Sequence, residues 1–223
     1  MNILILRSLV TLFLIATMIS CGSGKLGNNV SNSSISQNTP VATNVATKQE
    51  KIKFKNEEGT DLFSLKQEAD GAKLIDGKNQ ELARIKADKS GKIKIKNASE
   101  KVLGYVVTEK GYWKLKDANQ SKDLYILRRQ NDGDYKLEDT AKKEVYRIKA
   151  RNDGFEIETS DKKSVYQVKV KEGKTSLRNP TSKIIFSTKS QLSPIAFTCF
   201  GFDVLTREQQ AALAYAVNLT GGK

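Results

Sequence analysis

"DYKLEDTAKKEVYRIKARNDG", Asp134–Gly154, contains two short runs in which apolar and polar residues alternate. In the first, Tyr135 and Leu137 point one way and Lys136 and Glu138 the other. In the second, Tyr146, Ile148 and Ala150 alternate with Arg147 and Lys149. A period of two puts the two sets on opposite faces of a pleated strand. A polar segment divides the runs and the stretch closes on glycine. Asn, Asp and Gly are the residues that give tight hairpin turns their positive φ angles. The stretch therefore predicts a β-hairpin with one apolar and one wet face.

The pattern continues on both sides. Upstream come "KIKFKNEEGTDLFSLKQEADG", "AKLIDGKNQELARIKADKSG", "KIKIKNASEKVLGYVVTEKG" and "YWKLKDANQSKDLYILRRQNDG"; downstream come "FEIETSDKKSVYQVKVKEG" and "KTSLRNPTSKIIFSTKSQLSP". A repeat with a period of about twenty residues marks a reiterated supersecondary unit. Turn formers lie inside the units at Asp76-Gly77, Asn97-Ala98, Asn119-Gln120, Asp161-Lys162 and Asn179-Pro180, and glycines close them at Gly71, Gly91, Gly111, Gly133, Gly154 and Gly173. The expected fold is mainly β, an antiparallel meander of about twelve to fourteen strands. Outward lysines such as Lys92, Lys94 and Lys96 guard against edge-to-edge pairing. A sheet this long with one apolar face closes into a barrel or packs on a second sheet, and a closed barrel needs a filled interior.

The C-terminal residues supply a filling. "IAFTCFGFDVL", Ile195–Leu205, is more apolar than any earlier run and reads as a strand buried on both faces. In "LTREQQAALAYAVNLTGG", Leu205–Gly222, a helix is expected over about 204–220. Thr206 and Gln209 have the spacing of a capping box, and Gly221 and Gly222 end the helix. Alanines at 211, 212, 214 and 216 keep it thin, and Asn218 is the one strongly polar side chain after the first turns. Apolar residues on every side argue for burial inside the strands. An interfacial membrane helix would show a lysine face, and none is present.

The N-terminus reads as an address. "MNILILRSLVTLFLIATMISCG", Met1–Gly22, has one charge, Arg7, and an apolar run from Leu9 to Ile19. That run is shorter than the ~20 residues of a membrane span and suits a signal-peptide core. Met18-Ile19-Ser20-Cys21 resembles the bacterial lipobox, with Met18 where leucine is more usual. The resemblance implies cleavage before Cys21 and its acylation. Two or three acyl chains anchor a protein stably where one does not. Gly22 stands where an aspartate would signal inner-membrane retention, so the expected location is the outer membrane of a bacterial envelope. Gly22–Gln49, rich in Ser, Asn, Thr and Gly, reads as a tether. The expected division is a signal peptide at 1–20, lipidated Cys21 and tether at 21–50, and the barrel with its helix at 51–223.

The 223 residues include 38 Lys and Arg against 25 Asp and Glu, a formal net charge of +13. Such a surface favours anionic lipid or polyanions, or serves solubility alone. There is no histidine, which excludes Ser-His-Asp and Cys-His catalysis by this chain. Cys21 and Cys199 form no disulfide framework, and Cys199 reads as an inert buried thiol. The acidic stretch Asn131–Asp134 lacks the ligand array of a calcium loop and reads as a hairpin turn. Trp113 reads as a core or barrel-wall residue.

A meander of about a dozen strands around a hydrophobic C-terminal helix, carried by units such as "YWKLKDANQSKDLYIL" and "DYKLEDTAKKEVYRIKA", resembles the tubby C-terminal-like barrel over about Lys51–Leu219. That group includes tubby proteins, phospholipid scramblases, plant LURP-one-related proteins and bacterial relatives. The alanine-rich helix with Tyr215 and Asn218 departs from its usual aliphatic type. The family's phosphoinositide-binding basic residues do not align here, and scramblase calcium and anchor features are not found. The expectation is a non-enzymatic, lipid-anchored envelope protein without cofactor or metal, its basic exterior binding lipid head groups or polyanions. The alternative is a structural or protein-interaction module. No nucleic-acid partner is expected.

Overall fold

The structure, a computed structural model, describes residues 50–222. The expected signal peptide, Cys21 and all of the tether but Glu50 lie outside them. Seven hairpins follow in chain order: β1 (Lys51–Lys55) with β2 (Asp61–Glu68), β3 (Gly71–Asp76) with β4 (Glu81–Ala87), β5 (Ile93–Asn97) with β6 (Val102–Glu109), and β7 (Tyr112–Lys116) with β8 (Asp123–Arg129). The remaining three are β9 (Tyr135–Asp139) with β10 (Glu144–Arg151), β11 (Gly154–Thr159) with β12 (Ser164–Lys171), and β13 (Lys174–Arg178) with β14 (Ile184–Thr188). Each strand pairs antiparallel with its neighbours in sequence, and β1 meets β14 to close a barrel of fourteen strands.

The turn inside each unit explains how the sheet curls. The main-chain N–H of Asp139 bonds to Lys143 O and that of Lys142 to Asp139 O, both at 3.0 Å. The Asp139 Oδ1 accepts from the N–H groups of Ala141 and Lys143 at 2.9 Å. Asp76 and Asn97 do the same in their turns. The acidic and amide residues thus supply acceptors. The left-handed conformation, which their presence suggested they would adopt, falls on a later residue: Asn79, Glu100, Gln120, Lys142, Lys162 and Ser182 have φ of 60–65°. Beside each such turn the register slips by one residue, as at Leu74/Ile75, Leu115/Lys116 and Ile157/Glu158. A bulge bends its strand and increases its twist, and its recurrence at one rim in all seven hairpins favours closure.

The alternation read from the sequence sets the two faces. Tyr135, Leu137, Tyr146 and Ile148 are buried, as are Trp113, Leu115, Ile85 and Ile95. Trp113 is fully buried, 6.4 Å from the ring of Tyr135, as a core residue. Ala150 is exposed rather than inward. It lies near the far end of β10, where its N–H bonds to the Asp134 carboxylate at 2.9 Å.

Residues 195–205 do not form a strand. They form α1 (Pro194–Thr198) and a single 3-10 turn (Cys199–Gly201), followed by a loop. Ser193 Oγ caps α1 by accepting from Ala196 N at 3.3 Å, and Pro194 occupies the first turn, where its missing N–H is harmless. The lumen is walled by inward side chains, and no strand edge faces into it for a further strand to join. A strand in the lumen would bury unpaired N–H and C=O groups, whereas a helix satisfies its own.

The second helix, α2, runs Arg207–Leu219. Its capping box is complete: Thr206 Oγ1 accepts from Gln209 N at 3.4 Å, and Gln209 Oε1 accepts from Thr206 N at 3.0 Å. Ala211, Ala212, Leu213, Ala214, Ala216 and Val217 are buried. The helices share the interior: α1 packs on β11–β13, α2 on β3–β7, and each on the other. Asn218 has a definite task, since its Oδ1 accepts the N–H of Ser193 at 2.9 Å and ties α2 to the start of α1. Tyr135 donates its hydroxyl to Gly222 O at 2.8 Å, fixing the chain end to the wall. Phe54, Phe63, Phe186, Phe197 and Phe200 cluster on the α1 side, with the Arg207 guanidinium 4.6 Å from the Phe63 ring centre.

Candidate functional site

Most lysines within the strands are answered by a carboxylate on a neighbouring strand or turn: Lys86 with Asp70 at 3.1 Å, Lys136 with Glu144 at 3.1 Å, Lys149 with Glu158 at 2.8 Å. Exposed pairs of this kind contribute about 0–1 kcal/mol each and mainly even out the field. The exception with the most developed shape is the seam between β1 and β14.

Closure there rests on one register pair, Lys55 with Ser187, whereas β2 and β3 align through six. Glu50 O accepts from Gln67 N at 2.9 Å, which fixes the phase of β1. Main-chain groups of residues 50, 52 and 54 face β2; those of 51, 53 and 55 face the seam. β14 ends at Thr188, where the chain turns away toward α1. Among the described residues, the N–H and C=O groups of Lys51 and Lys53 consequently find no main-chain partner across the seam.

A cleft of about 420 Å³ lies over this gap. Lys51, Lys53 and Lys55 line one side, followed by Asn56, Glu57 and Gly59 of the turn after β1; Lys174, Lys189 and Ser190 line the other, with Ser187 and Thr188 also in the lining. Ser187, on the outward face of β14, is 5% exposed and forms a hydroxyl floor beneath longer cationic walls, while Thr188 shares the inward face with Phe186 and its Oγ1 accepts the Ser190 N–H at 3.1 Å. Asp61 bonds Lys53 at 2.7 Å and approaches Lys55 at 3.1 Å, and these lysines hold its carboxyl below the usual carboxylate range. Among the described residues, Lys51, Lys174 and Lys189 have no carboxylate partner. A second hollow of about 340 Å³ shares Lys174 and Lys189 and adds Lys171, Glu172, Ser176 and Arg178. Chemically the seam offers fixed positive charge, hydroxyl donors and free main-chain groups, the makings of a site for an anion.

Other candidate chemistry is placed elsewhere. Cys199 is fully buried in the 3-10 turn, and burial pushes its thiol pKa up, so it holds its proton. Asp132 and Asp134 serve the turn before β9, with Asp132 accepting the Asp134 N–H at 3.0 Å. Among the described residues no group of three His, Cys, Asp or Glu side chains gathers to hold a metal, and no helix is long and apolar enough to cross a membrane. Lipid attachment at Cys21 lies outside the described residues.

No family model and no curated protein matches the chain. The X-ray structure of a protein from Arabidopsis thaliana is similar to it, with 13% identity and a TM-score of 0.38, over 63% of this chain and 79% of that one. The lysines of the seam were visible in the sequence only as members of a uniform basic pattern. What distinguishes them is the short pairing of the first and last strands, which no local signal encodes.

Proposed function

We propose that the chain is a non-enzymatic lipoprotein of the bacterial cell envelope, anchored through Cys21, probed by a tubby-like barrel whose basic seam binds anionic partners. The anchor rests on the lipobox-like Met18–Cys21 at the end of an apolar run. The tubby-like assignment rests on the meander of hairpins followed by a buried C-terminal helix. The observation that carries the binding function is the cluster of Lys51, Lys174 and Lys189 around a hydroxyl-floored cleft without carboxylate partners of their own. The outer membrane is the proposed location, from Gly22.

Binding is tested by retention on heparin and on vesicles containing a fifth anionic lipid. The triple variant Lys51→Gln, Lys174→Gln, Lys189→Gln is expected to lose roughly tenfold in affinity, while Lys86→Gln, Lys136→Gln and Lys149→Gln together lose less. Binding weakens with salt because the Debye length falls from about 10 Å at 0.1 M to about 3 Å at 1 M. A protein that binds neither heparin nor vesicles at low salt refutes the proposal. The second reading, a structural or interaction module, is favoured by the carboxylate partners of most other lysines within the strands, and it expects no retention. For the anchor, Cys21→Ala is expected to abolish labelling by a clickable palmitate analogue; undiminished labelling removes it.

A further inference from the structure

We infer that the open seam is a strand-addition site, which takes an extended acidic segment of a partner protein along the free edge of β1; this rests on the reading of the barrel as a binder of anionic partners. The free edge carries both kinds of main-chain group. Lys51 and Lys53 each turn an N–H and a C=O toward the gap, and neither group is met across it among the described residues. A phosphate or sulfate supplies acceptors only and leaves the carbonyls unanswered. A polypeptide strand presents a donor and an acceptor together at every second residue, which is the pattern this edge exposes.

The side chains select the kind of strand. Lys51, Lys53 and Lys55 stand on one face of β1, separated by about 7 Å along the strand. An added strand with acidic residues at alternate positions sets one carboxylate opposite Lys51 and the next opposite Lys53, an arrangement that stabilises cross-strand pairs, while Lys55, across from Ser187, adds to the local field. Lys174 and Lys189 extend the positive field across the cleft. The same lysines oppose a second copy of this chain, whose formal charge is +13. Charge complementarity therefore favours an acidic strand over self-association.

The test uses the full chain and a fluorescein-labelled peptide of seven residues, alternating glutamate and valine, read by anisotropy. A counterpart of identical charge is N-methylated at alternate amides. The expected result is binding of the first peptide and at least tenfold weaker binding of the second. A pair of variants separates side chain from backbone: Lys53→Gln and Lys53→Pro both remove the charge, but only proline removes the seam-facing N–H. Because that N–H faces away from β2, proline leaves the β1–β2 ladder bonds in place. Lys53→Pro is expected to bind the peptide at least tenfold more weakly than Lys53→Gln. Should the proline variant fail to fold, the methylated peptide decides alone. Equal binding of both peptides overturns strand addition and leaves the anion-binding reading standing, as does binding of heparin with neither peptide. Loss of heparin, vesicle and peptide binding together overturns both. A dimer in sedimentation equilibrium without peptide binding assigns the edge to a second copy and also overturns the proposal.

Discussion

Replacing Ala214 by glutamate lowers the melting temperature by roughly 10 °C or more, a loss of about 4 kcal/mol in a domain of this size. Ala214 is fully buried on α2, the helix that packs against β3–β7 from inside the barrel. A carboxylate there is either an unpaired buried charge or must be protonated against its normal pKa, and both are unfavourable. Leu219→Glu is the control, since Leu219 on the same helix is 58% exposed; its effect is expected to stay within about 0.5 kcal/mol. Removing Thr206–Lys223 goes further. It strips the core from the inner faces of β3–β7 and releases Tyr135 from Gly222, so the remaining chain should aggregate or lose cooperative melting. A truncated barrel that melts cooperatively at the original temperature would show that α2 is peripheral. Both experiments are read by circular dichroism.

Gly71→Ala is expected to destabilise the protein by about 2–4 kcal/mol, while Gly91→Ala changes it by about 1 kcal/mol. The two glycines occupy matching places in the sequence repeat but do different things. A Cβ on Gly71 would lie 1.8 Å from Ile85 O, so the β3–β4 ladder itself must shift to admit it. Gly91 has φ of 79° and open space around its would-be Cβ, so alanine there meets only the strain of a left-handed backbone. Equal losses in chemical denaturation would show that β3 and β4 accommodate the extra carbon without moving.

This pair illustrates how far the sequence could be read. The glycine spacing located the ends of the units, because glycine is what both uses require. It could not say that Gly71 is a close approach between strands and Gly91 a turn, since that depends on where the neighbouring strand lies. The turns behaved similarly. Asp76 and Asn97 are legible as turn formers from their chemistry, but the residue forced to positive φ is set by the geometry of the bulged hairpin, and lysine at 142 or glutamate at 100 gives no local sign of it. Ile195–Leu205 shows the clearest departure. Its apolar, β-tolerant composition suits a strand, and only the surrounding wall, which turns side chains rather than a strand edge toward the lumen, makes the helical alternative the one that satisfies its backbone.

The sequence by itself determined the local grammar: period-two alternation, a turn about every ten residues, and a final helix too apolar to face water. Those are short-range properties, fixed by side-chain direction and burial within each unit. Tertiary structure decided what depends on residues far apart. The first and last strands meet through the single pair Lys55–Ser187, two helices rather than one fill the interior, and five lysines from two strands and a loop converge on one cleft. No unit of the repeat encodes these features, because the register at the seam is the accumulated result of every turn and bulge around the barrel.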